Sequence, residues 1–367
     1  MTITQEVIET KFTNAFNADK PCFIVKNILT GNGYNVQTNK WYRQAGGALT
    51  PPDFTSAGSA TLADNSVLPI RYTYDNRSSV FSSPDSTQSN GDTEFWALYA
   101  AKWETIAGGP SYSEYMQDWY ADAVVIKAHG YGQGSEGMTG SLPTNTLTLQ
   151  MIISETTNFA STWTLLQNSV YGDDTDSNRH PSKTGVSRTN SELIPAAGNY
   201  RYKINGDAFF RLFFNINGLV SPTFETPPKI GEVFVGERIQ MSRNQNQPYM
   251  TELSFSDGST NFESNNGDVV RYVRHKGQRR FELTFSPSGD DSYGIDDVEQ
   301  IKLLARKTNQ FTEPFMYVPK PSSEPNNAYF VMTEDASFNL EAVGPFERSV
   351  TLTLVELPPY VAYEVGF

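Results

Sequence analysis

The sequence predicts a mainly β fold: antiparallel β-sandwich domains with short helices, followed by a β domain carrying one helix. Three observations predict it. Strands of alternating character recur, as in Arg280-Phe281-Glu282-Leu283-Thr284-Phe285 and Ser349-Val350-Thr351-Leu352-Thr353-Leu354-Val355-Glu356-Leu357. An apolar run is closed by prolines in Pro314-Phe315-Met316-Tyr317-Val318-Pro319. Aromatic residues make up 13% of a chain whose hydrophobic fraction is only 38%, so large rings must supply the cores. A charged fraction of 19% agrees with a folded chain, since disordered chains are charge-rich.

The 367 residues suggest more than one domain. We read residues 1–120 as an N-terminal mixed segment of unknown role with two short aromatic helices. Residues 121–220 read as an antiparallel sandwich of carbohydrate-binding type, and 228–367 as a β domain with one helix over about 297–309. The first segment opens with a possible arm, Met1 to Pro21. Phe23-Ile24-Val25 and Ile70-Arg71-Tyr72-Thr73-Tyr74 are strand candidates, and the Ser/Asn/Asp-rich stretch from Ser82 to Asp92 predicts an exposed loop. From Thr93 to Ile106, Trp96, Tyr99, Trp103 and Ile106 fall at helical spacing; Tyr112, Tyr115, Met116 and Trp119 repeat it. Both stripes predict packing helices, with a sugar-stacking platform as the functional alternative.

The second region turns to strands at 123–128, 145–152, 200–204 and 208–214. Asn205-Gly206-Asp207 predicts a tight hairpin between the last two, because Asn-Gly supplies the positive φ such a turn needs. Pro222, Pro227 and Pro228 predict a boundary near 220–228. In the third region Asp296 is the expected cap of the helix. Glu299 completes a capping box, and Val298, Ile301, Leu304 and Ala305 form the buried stripe.

Chemistry-bearing residues are sparse, and the sequence assigns no catalytic, cofactor-binding or metal site. His129, His180 and His275 lie far apart and outside any metal-ligand spacing. Cys22 is the one cysteine; it rules out an internal disulfide, and its apolar neighbours predict a small core residue. Gly130-Tyr131-Gly132-Gln133-Gly134 lacks the lysine of a phosphate loop. Asp174, Asp176 and Asn178 alternate like a calcium loop, but Arg179 and Gly185 stand where glycine and glutamate are needed. The expectation is therefore a protein that is not an enzyme and takes no cofactor.

A net charge of −13 disfavours phosphate backbones, so no nucleic-acid partner is expected. The local cluster Arg271, Arg274, His275, Lys276, Arg279 and Arg280 reads as a charged strand face turned to solvent or to an acidic neighbouring subunit. No apolar run approaches bilayer length and no leader is visible, which predicts synthesis in a host cytoplasm without membrane insertion.

Several segments in order resemble the distal tail, or baseplate, structural proteins of long-tailed bacteriophages. They are Asp122-Ala123-Val124-Val125-Ile126 leading to His129, then Leu147-Thr148-Leu149, Tyr200 to Ile204, and Ile230 to Glu237. Arg279 to Leu283, the helix near Asp297, the 314–319 run and the closing strand to Leu357 continue the order. The resemblance covers about Ala121 to Pro359. Gly130 follows His129 where such proteins often carry asparagine, and Met1 to Tyr120 has no counterpart. The resemblance implies a virion tail component: a ring of identical copies, usually a hexamer, joining the tail tube to baseplate hub or fibre proteins. The competing expectations are a carbohydrate-binding receptor-recognition module or adhesin, using exposed aromatics such as Trp41 or Trp119 for glycan contact, and a polysaccharide-degrading enzyme.

Overall fold

A computed structural model describes residues 3–29, 39–44, 50–75, 81–85, 92–101, 119–130, 138–139, 146–171, 191–195, 200–217, 223–224, 227–244, 250–254, 259–263, 269–273, 278–285, 295–322, 328–335, 337–342 and 348–357. The protein is mainly β and antiparallel. In chain order the elements begin β1 (Ile3–Val7), α1 (Thr10–Asn17), β2 (Cys22–Val25), β3 (Lys40–Gln44), β4 (Thr61–Leu62), β5 (Glu94–Ala101), β6 (Trp119–Ala121) and β7 (Ala123–Gly130). Next come β8 (Met138–Thr139), β9 (Thr146–Ser154), β10 (Thr162–Tyr171), β11 (Ser191–Pro195), β12 (Tyr200–Ile204), β13 (Ala208–Asn217), β14 (Thr223–Phe224) and β15 (Lys229–Gln240). The chain ends with β16 (Met250–Ser254), β17 (Ser259–Glu263), β18 (Val269–Val273), β19 (Gln278–Phe285), α2 (Ile295–Lys307), β20 (Phe315–Val318), β21 (Tyr329–Thr333), β22 (Asn339–Ala342) and β23 (Arg348–Glu356).

Two compact units share these elements. One contains residues 1–8 and 26–237, the other 9–25 and 238–367. This partition differs from the division at 120 and 220. β3 and β5 pair in the same sheet as β9, β10 and β13, so 26–120 and 121–220 share one unit. The passage into the second unit falls inside β15, between Glu237 and Arg238, rather than at the prolines of 222–228.

The first unit is a sandwich. Its six-stranded sheet runs β10-β9-β13-β5-β3-β4, and a three-stranded sheet runs β1-β12-β6. The alternation of β13 explains the layering. Ala208, Phe210, Leu212 and Phe214 face one core with Trp41, Phe95, Tyr99, Leu149 and Met151. That core is closed by Val124 and Ile126 of β7, Ile230, Val233 and Val235 of β15, and Ile3, Tyr202 and Ile204. Phe209 points to the opposite face with Trp96 and Leu98, under Phe54 and Phe159.

The second unit orders β2-β20-β21-β23-β19-β16, with β22 also pairing β23. α2 lays Val298, Ile301 and Leu304 on a core of Phe23, Phe281, Leu283, Phe315, Tyr317 and Leu354. Phe23 stacks on Tyr317 at 5.6 Å and meets Phe315 edge-on at 5.7 Å, geometries favoured by ring quadrupoles.

Six expectations need correction. Residues 94–101 form strand β5, not a helix, because every position is buried, Phe95 on one face and Trp96 on the other. Of the second aromatic stripe, Trp119 and Tyr120 stand in strand β6; its earlier residues lie outside the described residues. Residues 70–73 make a 3-10 turn after Pro69 rather than a strand. β12 and β13 do not form a hairpin, since β12 pairs with β1 and β6 while β13 pairs with β5 and β9. The positive-φ glycine among the described residues is Gly58, not Gly206. α2 starts at Ile295, so Asp296 lies in its first turn and does not cap it. Within the stretch read as an exposed loop, Ser82, Ser83 and Asp92 are buried.

Candidate functional site

The acidic residues that chemistry would need are largely committed to holding strands together. In the first unit, Asn27 Nδ2 donates to Glu232 Oε1 at 3.3 Å and to the Val233 carbonyl at 3.0 Å. Its Oδ1 accepts from the Leu29 and Val235 amides. One buried asparagine, in the segment after β2, therefore bonds backbone groups of β15 and of its own turn. Asn215 donates to Glu94 across the β13–β5 pair at 3.0 Å. Arg43 meets Asp92 at 3.2 Å with both side chains largely buried. Asp64 accepts from the Trp41 amide at 2.9 Å, and burial pushes its carboxyl up.

The face carrying Phe209 holds a partly buried cation, Arg211. The Arg211 guanidinium lies 4.6 Å from the Phe159 ring centroid and 5.3 Å from that of Trp96, and it donates to the Pro52 carbonyl at 3.1 Å. Burial lowers it to about 10, against the pull of Asp53, so it stays protonated at neutral pH. Burial pushes Asp53 up, but hydrogen bonds from Thr55 and Ser56 and the Arg211 charge bring it below its ordinary value. Trp96 stacks on Phe213 at 3.8 Å. These contacts pin the 52–60 loop and the turn at Phe159 onto the sheet.

In the second unit, Asp297 is 1% exposed and forms the central polar node. It accepts from the Ser242 amide at 2.7 Å and the Ser242 hydroxyl at 2.9 Å, and its Oδ2 lies 2.7 Å from Arg243 Nε. Burial raises its carboxyl despite these partners. The node ties the first turn of α2 to the segment after β15.

Two members of the basic cluster are paired with acids within the chain. Arg279 pairs with Glu356 at 3.3 Å and lies 5.0 Å from the Tyr329 centroid; Arg280 pairs with Glu334 at 2.6 Å. Arg280 is 40% exposed, so this pair contributes little to stability. Arg271 stands in β18, while Arg274, His275 and Lys276 lie outside the described residues.

No known family model matches this sequence, and no curated protein matches it.

Cys22 is fully buried in β2, as its neighbours predicted. His129 stands in β7; His180, the 131–134 glycines and the 173–178 acidic loop lie outside the described residues. Among the described residues, no group of three histidine, cysteine or acidic side chains is placed to hold a metal. Trp41 is 0% exposed and its Nε1 donates to Ser82 Oγ at 2.8 Å, so it cannot stack on a sugar. Trp119 packs partly buried against the same core, with Lys26 5.5 Å from its ring centroid. The Asp297 node was missed because the capping pattern drew attention to Asp296; an acid at a position that packs inward was the available signal.

Proposed function

We propose that this chain is a structural component of a bacteriophage tail tip or baseplate. In this reading identical copies form a ring that joins the tail tube to hub or fibre proteins. The observation that carries the reading is the order of elements from residue 123 to residue 356. Antiparallel strands β7, β9, β12 and β15 are followed by β19, a single helix α2, the proline-closed β20 and the closing strand β23. That is the order in which the resembling segments occur. The use of acids and arginines supports it too. Glu94, Glu232, Asp92 and Asp297 serve contacts that hold strands, loops and α2 in place, which suits a rigid part better than a reacting centre. A ring is a heterologous interface closed by rotation, so it asks for two different surfaces on each copy and no ligand.

Negative-stain imaging of the purified full chain tests this. Rings of uniform diameter are the expected particles. Single-copy particles throughout, at concentrations well above those in an infected cell, would overturn the ring.

A further inference from the structure

Asn205 and Gly206 stand in the connection between β12 and β13. The connection crosses between sheets, since β12 belongs to the three-stranded sheet and β13 to the six-stranded one. Strand pairing ends at Ile204 and resumes at Ala208, so no ladder holds residues 205–207. Asn205 is exposed. Among the described residues, neither its side chain nor the Gly206 amide forms a hydrogen bond.

Other asparagines are held. Asn27, Asn39 and Asn215 are buried, and each bonds a carboxylate or a backbone group. Asn65 accepts from the Val67 and Leu68 amides, and Asn158 from that of Ala160. None of these five precedes a glycine. A Cβ on the following residue crowds the approach of its own nitrogen to the asparagine side chain, and Gly206 has no Cβ. Gly206 is buried, but its nitrogen reaches the Asn205 side chain through the chain itself and needs no path from solvent. The unheld amide, the glycine and the unpaired link therefore coincide at one point of the fold.

We infer that Asn205 is a site of spontaneous deamidation. The Gly206 nitrogen attacks Cγ of Asn205 and closes a five-membered imide ring. The N–Cγ bond forms, the Cγ–Nδ2 bond breaks, and ammonia leaves with the proton of the Gly206 amide. Water then opens the ring at either carbonyl, giving aspartate or isoaspartate; nothing is oxidised or reduced, and water is the one co-reactant. Either product adds a negative charge close to Asp207. Isoaspartate also runs the main chain through Cβ and Cγ, which lengthens the link between the two sheets by one backbone atom. The modification does not rest on the tail-tip reading.

The test incubates the folded full chain in mildly alkaline buffer, well below its melting temperature, and follows it by tryptic mass mapping. Cleavage after Lys203 and Arg211 releases Ile204–Arg211, whose one asparagine is Asn205. Gln44–Arg71 carries Asn65 alone and serves as the internal control. The amide-to-acid mass change should build up at Asn205 about tenfold or more faster than at Asn65, because only Asn205 is followed by a residue without Cβ. Methyl transfer by an isoaspartate-specific carboxyl methyltransferase should label the same peptide. Gly206→Ala should slow the change by about tenfold. If that variant does not fold, Asn205→Gln replaces it: the longer side chain would need a six-membered ring and should stay an amide. Conversion at Asn205 no faster than at Asn65, or a rate that the folded variant leaves unchanged, overturns the inference.

Discussion

Replacing Trp41 by alanine separates a packing role from a sugar-stacking role. The indole is wholly buried, 6.0 Å from the Phe214 ring, with its N–H on Ser82 Oγ. Truncation removes the ring from a core where Phe95, Tyr99 and Phe214 are fixed by two β layers, so the space cannot close. Large-aromatic truncations of this kind cost about 3–5 kcal/mol. The lost hydrogen bond adds little, since Ser82 Oγ still donates to the Leu68 carbonyl at 3.1 Å. For a unit of about 220 residues each kcal/mol moves the melting temperature by about 2–4 °C, so the drop should be about 6–20 °C. Trp41→Phe keeps most of the ring and should lose about a third of that. Differential scanning calorimetry reads both. A Trp41→Ala protein melting within 2 °C of the parent would refute the packing argument.

Three further outcomes are expected. Gly58 has φ +59°, and a Cβ there would sit 2.2 Å from the Thr50 carbonyl oxygen; Gly58→Ala should cost about 2 kcal/mol or more in urea unfolding, and a neutral result would contradict the turn. Asp297→Ala leaves Arg243 buried without its partner and should cost about 3–5 kcal/mol, whereas Asp297→Asn, which keeps an acceptor for the Ser242 amide, should cost clearly less; equal losses would show that the node acts otherwise. Asp64 has a raised carboxyl, so the folded state holds its proton more tightly than the unfolded chain: its contribution is full below the ordinary aspartate range and is lost as pH rises through the folded value. The melting temperature of the parent relative to Asp64→Asn should therefore fall on going from about pH 3.5 to 7, and a rise would reverse the assignment.

Strand positions were legible where one face contrasted with the other. β19 and β23 alternate core residues Phe281, Leu283, Leu352 and Leu354 with polar ones, and their spans follow the sequence within two residues. β5 was not legible as a strand. Its residues Phe95-Trp96-Ala97-Leu98-Tyr99-Ala100-Ala101 are buried on both faces, so no polar side marks a period of two, and alanine with spaced aromatics imitates a helix. β12 and β13 were both readable, yet their pairing was not. A turn dipeptide is a local signal, whereas the partner of β12 is β1, nearly 200 residues earlier. The stripe of α2 was clear from Val298, Ile301 and Leu304, and its start was misplaced because Asp297 faces inward to Ser242 and Arg243. Buried pairs such as Asn27 with Glu232 join residues over 200 positions apart, a distance no motif spans. The candidate site is thin in the sequence for the same reason: its polar groups gain their roles only from the fold.

The most direct test of a self-assembling structural part is the mass of the purified chain in solution, measured by native mass spectrometry across a concentration series. The account predicts a closed oligomer of fixed copy number. A chain that stays single at every concentration, and that releases sugars from a polysaccharide, would contradict it.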